Sequence, residues 1–225
     1  MRLPAIEAHT VWAPVYDSTP NPLLALERRS LAPLLNGRTT GTIIDMGCGT
    51  GQWLAHLQQA GANVFGMDLC EAMLNQCRRH RDGTSGRLIR ADAHSLPFAN
   101  ECADVVLSSM SLAYFEDLNL VFKEFIRVAR LGASVVVSDV HPEAIAAGWT
   151  RSFKSGPIHY QIEHFQHSLE QILFAAYRAG LRLRWCSEAR LGCAERPIFC
   201  EAGKPELLDA LTTRPALFLA IWEKL

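Results

Sequence analysis

The feature that most constrains this chain is a glycine-rich turn that follows a short apolar run. Residues 43–51 read IIDMGCGTG, and a helical pattern begins directly afterwards. Glycines there permit a tight turn and let a ligand lie against backbone amides at a helix start. A second apolar run ends in Asp68, 21 residues after Gly47. A carboxylate at such a strand tip accepts hydrogen bonds from both hydroxyls of a ribose. The sequence therefore predicts a nucleoside-binding crevice.

Short apolar runs alternate with helical segments along the rest of the chain. Runs that are buried on both faces and separated by helices are typical of parallel strands in an α/β fold. The predicted strands are residues 42–46, 63–67, 87–91, 103–108, 133–139, 181–188 and 215–223. The predicted helices are residues 52–60, residues 71–80, one capped by Asp117, and one that runs from the capping box of Ser168 and Gln171 to Gly180.

The 225 residues contain no internal repeat, which predicts one folded unit with a helical N-terminal extension. That extension, residues 1–41, is expected to be irregular across its first prolines and then helical from Pro22, which Asn21 caps. Residues 42–140 are the predicted nucleoside-binding core. Residues 141–168 are long for a connection between a strand and a helix, and residues 169–225 complete the same sheet.

Composition excludes several classes of protein. The 22 Lys and Arg residues balance 23 Asp and Glu residues, so the chain lacks the basic footprint of a nucleic-acid binder. No apolar stretch is long enough to span a bilayer, and the first residues, MRLPAIE, lack the apolar run of a secretory peptide. Seven cysteines, an odd number, favour reduced thiols. We therefore expect a cytoplasmic protein with a small-molecule partner, and the oligomeric state stays open.

The spacing of the turn discriminates between nucleoside ligands. The dinucleotide pattern G-x-G-x-x-G is absent, because Gln52 stands where the third glycine would fall. Asp45, just before the turn, would repel a pyrophosphate but suits a ligand that carries an ammonium and a sulfonium group. This favours S-adenosylmethionine over NAD. A nicotinamide-dependent oxidoreductase on a similar fold and a catalytically inactive cofactor-binding regulator stay open as alternatives.

Five segments carry a family resemblance, and in chain order they read IIDMGCGTG, VFGMDLCEAML, RADAHSLPF, ADVVLSSMSLAYFED and EFIRVARLGASVVVSD. With them the chain resembles the class I S-adenosylmethionine-dependent methyltransferases. The branch it is most similar to includes the ubiquinone/menaquinone C-methyltransferases and the malonyl-carrier-protein O-methyltransferases. The resemblance covers residues 40–140 well and the rest loosely. It implies a Rossmann-like sheet of seven mostly parallel strands whose last strand is reversed.

The resemblance also implies which residues contact S-adenosylmethionine. The methionine part of the cofactor would lie against the turn glycines, with a carboxylate nearby: Gly47, Gly49, Gly51 and Asp45. The ribose and adenine contacts would be Asp68, Leu69, Met73, Asp92 and the amide of Ala93. Ser109 would line the methyl-transfer site, and Tyr16 would close over the cofactor. From the N-terminal helix, Arg28 or Arg29 is within reach of the cofactor carboxylate.

The acceptor side is less constrained by the sequence. The fourth predicted strand ends in SSMS, not in the Asn/Asp-Pro-Pro-Tyr signature of enzymes that methylate exocyclic amines. Residues 141–168 hold four aromatic side chains, Trp149, Phe153, Tyr160 and Phe165. We interpret this segment as a lid over an aromatic acceptor pocket, and the alternative is a surface excursion that packs on the sheet. The acceptor is expected to be a small aromatic or heterocyclic metabolite.

Methyl transfer to a hydroxyl or a carbon acid requires a base, and histidine has a suitable pKa. His141, directly after the fifth predicted strand, is the first candidate, followed by His167 and Tyr114. Neither the histidines of residues 141–168 nor the evenly spaced Cys186, Cys193 and Cys200 match a recognised metal-ligand spacing, so no metal site is predicted.

Overall fold

The computed structural model describes residues 1–81 and 87–225. Its strands are β1 (Arg2–Leu3), β2 (Thr42–Met46), β3 (Asn63–Asp68), β4 (Leu88–Arg90), β5 (Ala103–Ser109), β6 (Ala129–Val140), β7 (Ser152–Ser155), β8 (Ile158–Ile162), β9 (Leu181–Ala189) and β10 (Leu217–Lys224). Its helices are α1 (Ala5–Trp12), α2 (Pro22–Leu35), α3 (Gln52–Gln59), α4 (Glu71–His80), α5 (Leu118–Val128), α6 (Pro142–Ala146), α7 (Leu169–Arg178), α8 (Arg196–Glu201) and α9 (Glu206–Leu211). None of the helices in these ranges combines the length and the apolar character that crossing a bilayer requires.

A seven-stranded sheet forms the centre of the fold, in the order β4-β3-β2-β5-β6-β10-β9. Neighbouring strands from β4 to β6 pair in parallel, whereas β10 pairs antiparallel with both β6 and β9. The predicted α/β class and the reversed last strand are confirmed. Alternate side chains of β6 enter opposite layers, with Val136 in one apolar core and Val135 and Val137 in the other. The sheet is therefore covered on both faces, as the continuous apolar runs predict.

The strand order reverses at β2, which lies between β3 and β5. The chain enters the sheet at β2, winds outward to β3 and β4, and then returns to β5 on the other side. Open parallel sheets bind ligands outside the carboxyl ends of the strands at such a switch point. The turn of residues 47–51 lies at this place, directly after β2.

Two local expectations are wrong. The start of the N-terminal extension is not irregular, because residues Ala5–Trp12 form α1. Its prolines stand at the ends of the helix, where Pro4 precedes the first turn and Pro14 follows the last, so neither breaks it. The fifth predicted strand, 133–139, begins earlier, at Ala129. Gly132 has a φ of 77°, and the pairing of β6 with β5 shifts register between Ala103 and Val105. This irregularity lets the strand continue through a segment whose sequence indicates a turn.

Residues 141–168, the predicted lid, contain α6 and the hairpin β7–β8. This hairpin joins β1 in a second sheet of order β1-β8-β7. Trp12 of α1 stacks on Phe153 of β7 with ring centroids 4.7 Å apart, and both belong to a small buried cluster with Ala8 and Ile162. The N-terminal segment and the hairpin thus pack together. We call these two parts, residues 1–16 and 149–165, the cap.

Candidate functional site

A crevice of about 620 Å³ lies between the cap and the carboxyl ends of β2, β3 and β5. Small-molecule and cofactor sites typically measure roughly 300–1,000 Å³. Most of the sequence-predicted contacts line this crevice: Tyr16, Gly47, Gly49, Asp68, Leu69, Met73, Asp92, Ala93 and Ser109, together with Tyr114. The structure therefore brings together residues from the extension, from three strand ends and from the loop after β5.

The glycines of the turn differ in what surrounds them. A Cβ atom on Gly51 would lie 2.2 Å from Sγ of Cys77, so this glycine is needed for packing against α4. A Cβ atom on Gly49 would meet nothing within 4 Å, although its φ is 54°. Gly49 therefore presents bare backbone to the open crevice, and a side chain there would occupy space that a ligand needs.

Asp68 at the end of β3 holds the turn in place. Its Oδ2 accepts a hydrogen bond from the amide of Gly49 at 2.8 Å, and its Oδ1 accepts one from the amide of Cys70 at 2.8 Å. Each carboxylate oxygen has a second lone pair, so two further donors can bind on the crevice side. The geometry is that of an acceptor for a pair of hydroxyls.

Asp45 lies beneath the turn and does not line the crevice. Its side chain is 1% exposed, and neither oxygen has a hydrogen-bond partner among the described residues. Burial, with a smaller contribution from the nearby carboxylates of Glu27 and Asp68, raises the pKa of Asp45 to about 8. A buried acid without a counter-charge is unfavourable, and a cation bound above the turn would relieve this. The site thus fits a positively charged ligand.

Besides Asp45, three residues that the resemblance suggested as contacts are not at the crevice. Arg28 is exposed on α2 and lines neither the crevice nor a neighbouring cavity, while Arg29 is bound to Glu195 at 3.0 and 3.2 Å. Both arginines are exposed on α2, whereas the preceding residue, Glu27, is buried. Gly51 serves packing, as described above. The structure therefore places neither arginine at the crevice.

Two of the candidate bases lie elsewhere as well. His141 is 2% exposed, and its Nδ1 accepts from the amide of Glu143 at 3.2 Å, so it caps α6. Its Nε2 lies 3.4 Å from the carboxylate of Glu188 on β9, away from the crevice. His167 has its Nε2 2.8 Å from the carbonyl oxygen of Phe115 and lines a neighbouring cavity. Only Tyr114 of the three candidates lines the crevice.

Glu27, which the sequence did not single out, organises the ends of β5 and β6. Its Oε1 accepts from the hydroxyls of Ser109 at 2.5 Å and Ser138 at 2.6 Å, and its Oε2 accepts from Nε1 of Trp53 at 3.1 Å. Burial raises the pKa of Glu27, whereas these three donors lower it. A signal existed in the sequence, because position 27 falls on the apolar helical face with Leu23 and Leu31.

A second cavity of about 250 Å³ adjoins the crevice, and we call it the aromatic cavity. Its aromatic side chains are Trp12, Tyr16, Tyr114 and Trp149, and His9, Tyr16, Met110 and Tyr114 line both this cavity and the crevice. The guanidinium of Arg151 borders it, paired with the carboxylate of Asp139 and 5.1 Å from the centre of the Tyr114 ring. The crevice thus opens into a smaller, mostly apolar space.

Within residues 1–81 and 87–225, no three His, Cys, Asp or Glu side chains come together in a way that would hold a metal ion. The histidines of residues 141–168 and the three evenly spaced cysteines form no such group. His167 is bound to a backbone carbonyl, Cys186 is on β9, and Cys193 and Cys200 are exposed near α8.

Residues 44–137 match the family described as methyltransferase domain. The chain is 31% identical over 148 residues to a malonyl-[acyl-carrier protein] O-methyltransferase of Hahella chejuensis, covering 62% of this chain and 50% of that protein. The corresponding protein of Methylococcus capsulatus is 32% identical over 152 residues, with 65% of this chain and 55% of that protein covered. The chain spans about half the length of the curated relatives it matches.

A solved structure extends the comparison to most of the chain. The S-adenosylmethionine-dependent methyltransferase of Mesorhizobium loti superimposes with a TM-score of 0.65 at 23% identity, covering 86% of this chain and 97% of that one. At this identity the likeness concerns the fold.

Proposed function

Because the chain carries a class I S-adenosylmethionine-dependent methyltransferase domain, we propose that it transfers a methyl group from this cofactor to a small aromatic or heterocyclic acceptor. The cofactor would occupy the crevice and the acceptor the aromatic cavity. The observation that carries the proposal is the junction of the two spaces, where Tyr16, Met110 and Tyr114 line both. An acceptor and a methyl donor would meet there.

Cofactor binding is supported by the charges around the turn. S-adenosylmethionine supplies a methyl group made electrophilic by the sulfonium. Its ammonium and sulfonium charges suit a place above Asp45, whose buried carboxyl has no partner among the described residues. Asp68 would accept from the ribose hydroxyls, and Leu69 and Met73 would flank the adenine beside Asp92. The amide of Gly49 already donates to Asp68, which fixes the turn against the end of β3.

The aromatic cavity supports a flat acceptor. Trp12 and Trp149 stand on different elements of the cap, so a ring between them would be enclosed by α1 and the segment before β7. Enclosure holds two reactants in line and excludes water, and such positioning contributes several kcal/mol to a displacement, on the order of 7–11 at its upper range. The protein's part in catalysis would be mainly alignment, with removal of a proton where the acceptor requires it.

A second candidate acceptor is a carboxylate carried by a thioester. The relatives named above are malonyl-[acyl-carrier protein] O-methyltransferases, and Arg151 at the aromatic cavity is a cation that attracts such a group. The buried pair that Arg151 forms with Asp139 argues against this candidate, because the guanidinium is already neutralised.

Two measurements test the proposal. Calorimetric titration should show micromolar binding of S-adenosylmethionine or S-adenosylhomocysteine and none of NAD or NADP, and the reverse pattern would support the oxidoreductase. Labelled S-adenosylmethionine is then supplied with a panel of hydroxylated aromatic compounds and, separately, with malonyl-loaded carrier protein. Transfer to the panel supports the aromatic acceptor, and transfer to carrier protein alone supports the carboxylate. Tight binding with no transfer to either favours the regulator.

The turn provides a further prediction. Gly49→Ala should weaken S-adenosylhomocysteine binding by about tenfold or more, since a methyl group would stand between ligand and backbone. Gly61→Ala is the matched control: Gly61 has a φ of 88°, a Cβ atom there would meet nothing within 4 Å, and it lies at the other end of α3. Both variants should lose about 1 kcal/mol of unfolding free energy from left-handed strain. Calorimetry and urea unfolding separate the two effects, and equal affinities in both variants would contradict the assignment.

A further inference from the structure

We propose that His9 is the general base of the methyl transfer and that the acceptor presents a hydroxyl group that must lose its proton, such as a phenol. This inference rests on the proposed function and adds to it the acceptor class and a residue that the sequence did not single out. It follows from where the side chain of His9 lies, which ring nitrogen is free, and which groups face it.

His9 stands at the junction of the two spaces. It is on α1, and its side chain lines both the crevice and the aromatic cavity. Among the described residues, no other histidine lines both of them. His94 reaches only the crevice and is bound to Asp92 at 2.7 Å. A base for transfer between the two spaces has to be at their junction, because it must reach the acceptor atom that attacks the methyl group.

The tautomer of His9 is set by its own helix. Nδ1 lies 2.7 Å from the carbonyl oxygen of Ala5, and a carbonyl oxygen only accepts, so Nδ1 carries the hydrogen. In the neutral ring, Nε2 then has a free lone pair, and it makes no hydrogen bond among the described residues. The edge of the ring contacts Tyr114 with centroids 4.9 Å apart, which restrains its orientation. The free nitrogen is therefore a hydrogen-bond acceptor held in place.

The charges around His9 suit a group that is neutral before the reaction and charged after it. Burial lowers the pKa of His9, so the ring is neutral near pH 7. The carboxylate of Asp68, at the end of β3, raises the pKa of His9 and so favours the protonated ring. The guanidinium of Arg151 lowers that pKa. Tyr114 contributes an uncharged ring, because burial raises the pKa of its hydroxyl. The imidazolium formed by proton transfer would thus have one nearby carboxylate.

The balanced step is a displacement with proton transfer. The acceptor oxygen forms a bond to the methyl carbon, and the bond between that carbon and sulfur breaks with its electron pair staying on sulfur. The hydroxyl proton moves to Nε2 of His9, giving a methyl ether, S-adenosylhomocysteine and an imidazolium, which later releases the proton to solvent. A carboxylate acceptor carries no proton to remove and would not need this base.

Other groups at the junction are less suited to the role. Burial raises the pKa of the Tyr114 hydroxyl, so this group stays protonated at neutral pH and cannot take up the proton of the acceptor. Asp68 already accepts from two backbone amides, that of Gly49 in the turn and that of Cys70 after β3. Met110 offers only a thioether, which is a weak acceptor.

Two acceptors of different acidity, phenol and 4-nitrophenol, test the inference. The pH is chosen so that 4-nitrophenol is ionised, whereas phenol still carries its proton. His9→Ala should reduce turnover of phenol by roughly 10²–10⁴-fold. Turnover of ionised 4-nitrophenol should change far less, and S-adenosylhomocysteine affinity should stay within about twofold of the unaltered protein. Added imidazole should partly restore phenol turnover. His159→Gln is the control, since His159 is exposed on β8 and its side chain touches neither space.

Each contrary outcome has a definite meaning. An equal loss with both phenols overturns the inference, because a packing role does not depend on the proton of the acceptor. Methylation of neither phenol by a protein that binds S-adenosylmethionine overturns the acceptor class. A protein that binds no S-adenosylmethionine refutes the proposed function itself. Nitrogen-15 spectra give a readout without turnover, and a hydrogen found on Nε2 of neutral His9 contradicts the assigned base.

Discussion

Replacing Asp45 with Asn is expected to stabilise the ligand-free protein near neutral pH and to weaken its binding of S-adenosylmethionine. In the folded protein the pKa of Asp45 is raised to about 8, whereas an unfolded chain has an Asp pKa of about 3.9. The folded state therefore binds the proton more tightly. The stabilisation that the protonated Asp45 gives to the folded state is fully present below about pH 4. It is lost as the pH rises towards 8. Asn resembles the protonated acid and does not ionise.

The size of this effect follows from the linkage between protonation and folding. Each unit of pKa difference corresponds to about 1.4 kcal/mol of stability. We therefore expect the free energy of unfolding of Asp45→Asn to exceed that of the unaltered protein by roughly 2 kcal/mol or more at pH 8. At pH 4 the two should be nearly equal. Urea unfolding across this range measures the difference. Asp209→Asn is the control, because Asp209 is an exposed partner of Arg196 and should change little. Parallel pH curves for Asp45→Asn and the unaltered protein would refute the expectation.

The same residue should couple cofactor binding to proton release. A cation above the turn favours the ionised form of Asp45, so binding near pH 7 expels a proton and the affinity for S-adenosylmethionine rises between pH 6 and 8. Asp45→Asn should bind the cofactor more weakly by about 1–3 kcal/mol and release no proton. Calorimetry in two buffers of different ionisation enthalpy counts the protons. S-adenosylhomocysteine, which lacks the sulfonium charge, should show a smaller loss.

Asp68→Ala is expected to produce the second large effect, a loss of nucleoside affinity on the order of 1–3 kcal/mol from unpaired ribose hydroxyls. The change also leaves the amides of Gly49 and Cys70 without their acceptor, which adds to the loss by loosening the turn. Adenosine and 2′,3′-dideoxyadenosine separate the two contributions. If Asp68 holds the ribose, the variant loses its preference for adenosine over the dideoxy compound.

Asp209→Ala serves as the control for this experiment, since it removes an exposed carboxylate that does not line the crevice. The measurements are calorimetric titrations of both nucleosides with all three proteins. An undiminished preference for adenosine in Asp68→Ala would exclude a ribose contact, even where total affinity falls. A loss confined to the turn amides would instead weaken both nucleosides equally.

The features that the sequence predicted well are local in the chain. The strand runs, the turn of residues 47–51 and the carboxylate at 68 depend on neighbours within a few residues, and a parallel sheet aligns the ends of its strands. Asn21 and Pro22 begin α2 as expected, with Oδ1 of Asn21 accepting from the amides of Leu23 and Leu24. The positions of the strand ends, together with the family resemblance, thus sufficed to predict most of the residues of the crevice.

The features that the sequence did not predict depend on distant contacts. Whether Glu27 or Arg28 meets the strand ends depends on which face of α2 turns inward. Only the packing of α2 against β5 and β6 determines that face. His141 follows a strand of the sheet, but its ring turns to the amide of Glu143 instead of the crevice. His9 lies between prolines that indicate an irregular segment, so only the packing of α1 against the hairpin reveals its position on a helix.

The cap has a consequence for how the protein folds and opens. β1 pairs with β8 across more than 150 residues, and the amide of Gln161 donates to the carbonyl oxygen of Met1 at 2.8 Å. The pairing of β1 with β8 closes a long loop but involves only two residues of β1, so it is entropically unfavourable until the central sheet has brought both ends near. We therefore expect this pairing to form late in folding. The same pairing has few buried contacts to hold it. Its amides, Gln161 among them, should therefore exchange their hydrogens by local opening, well before those of β6 do by global unfolding.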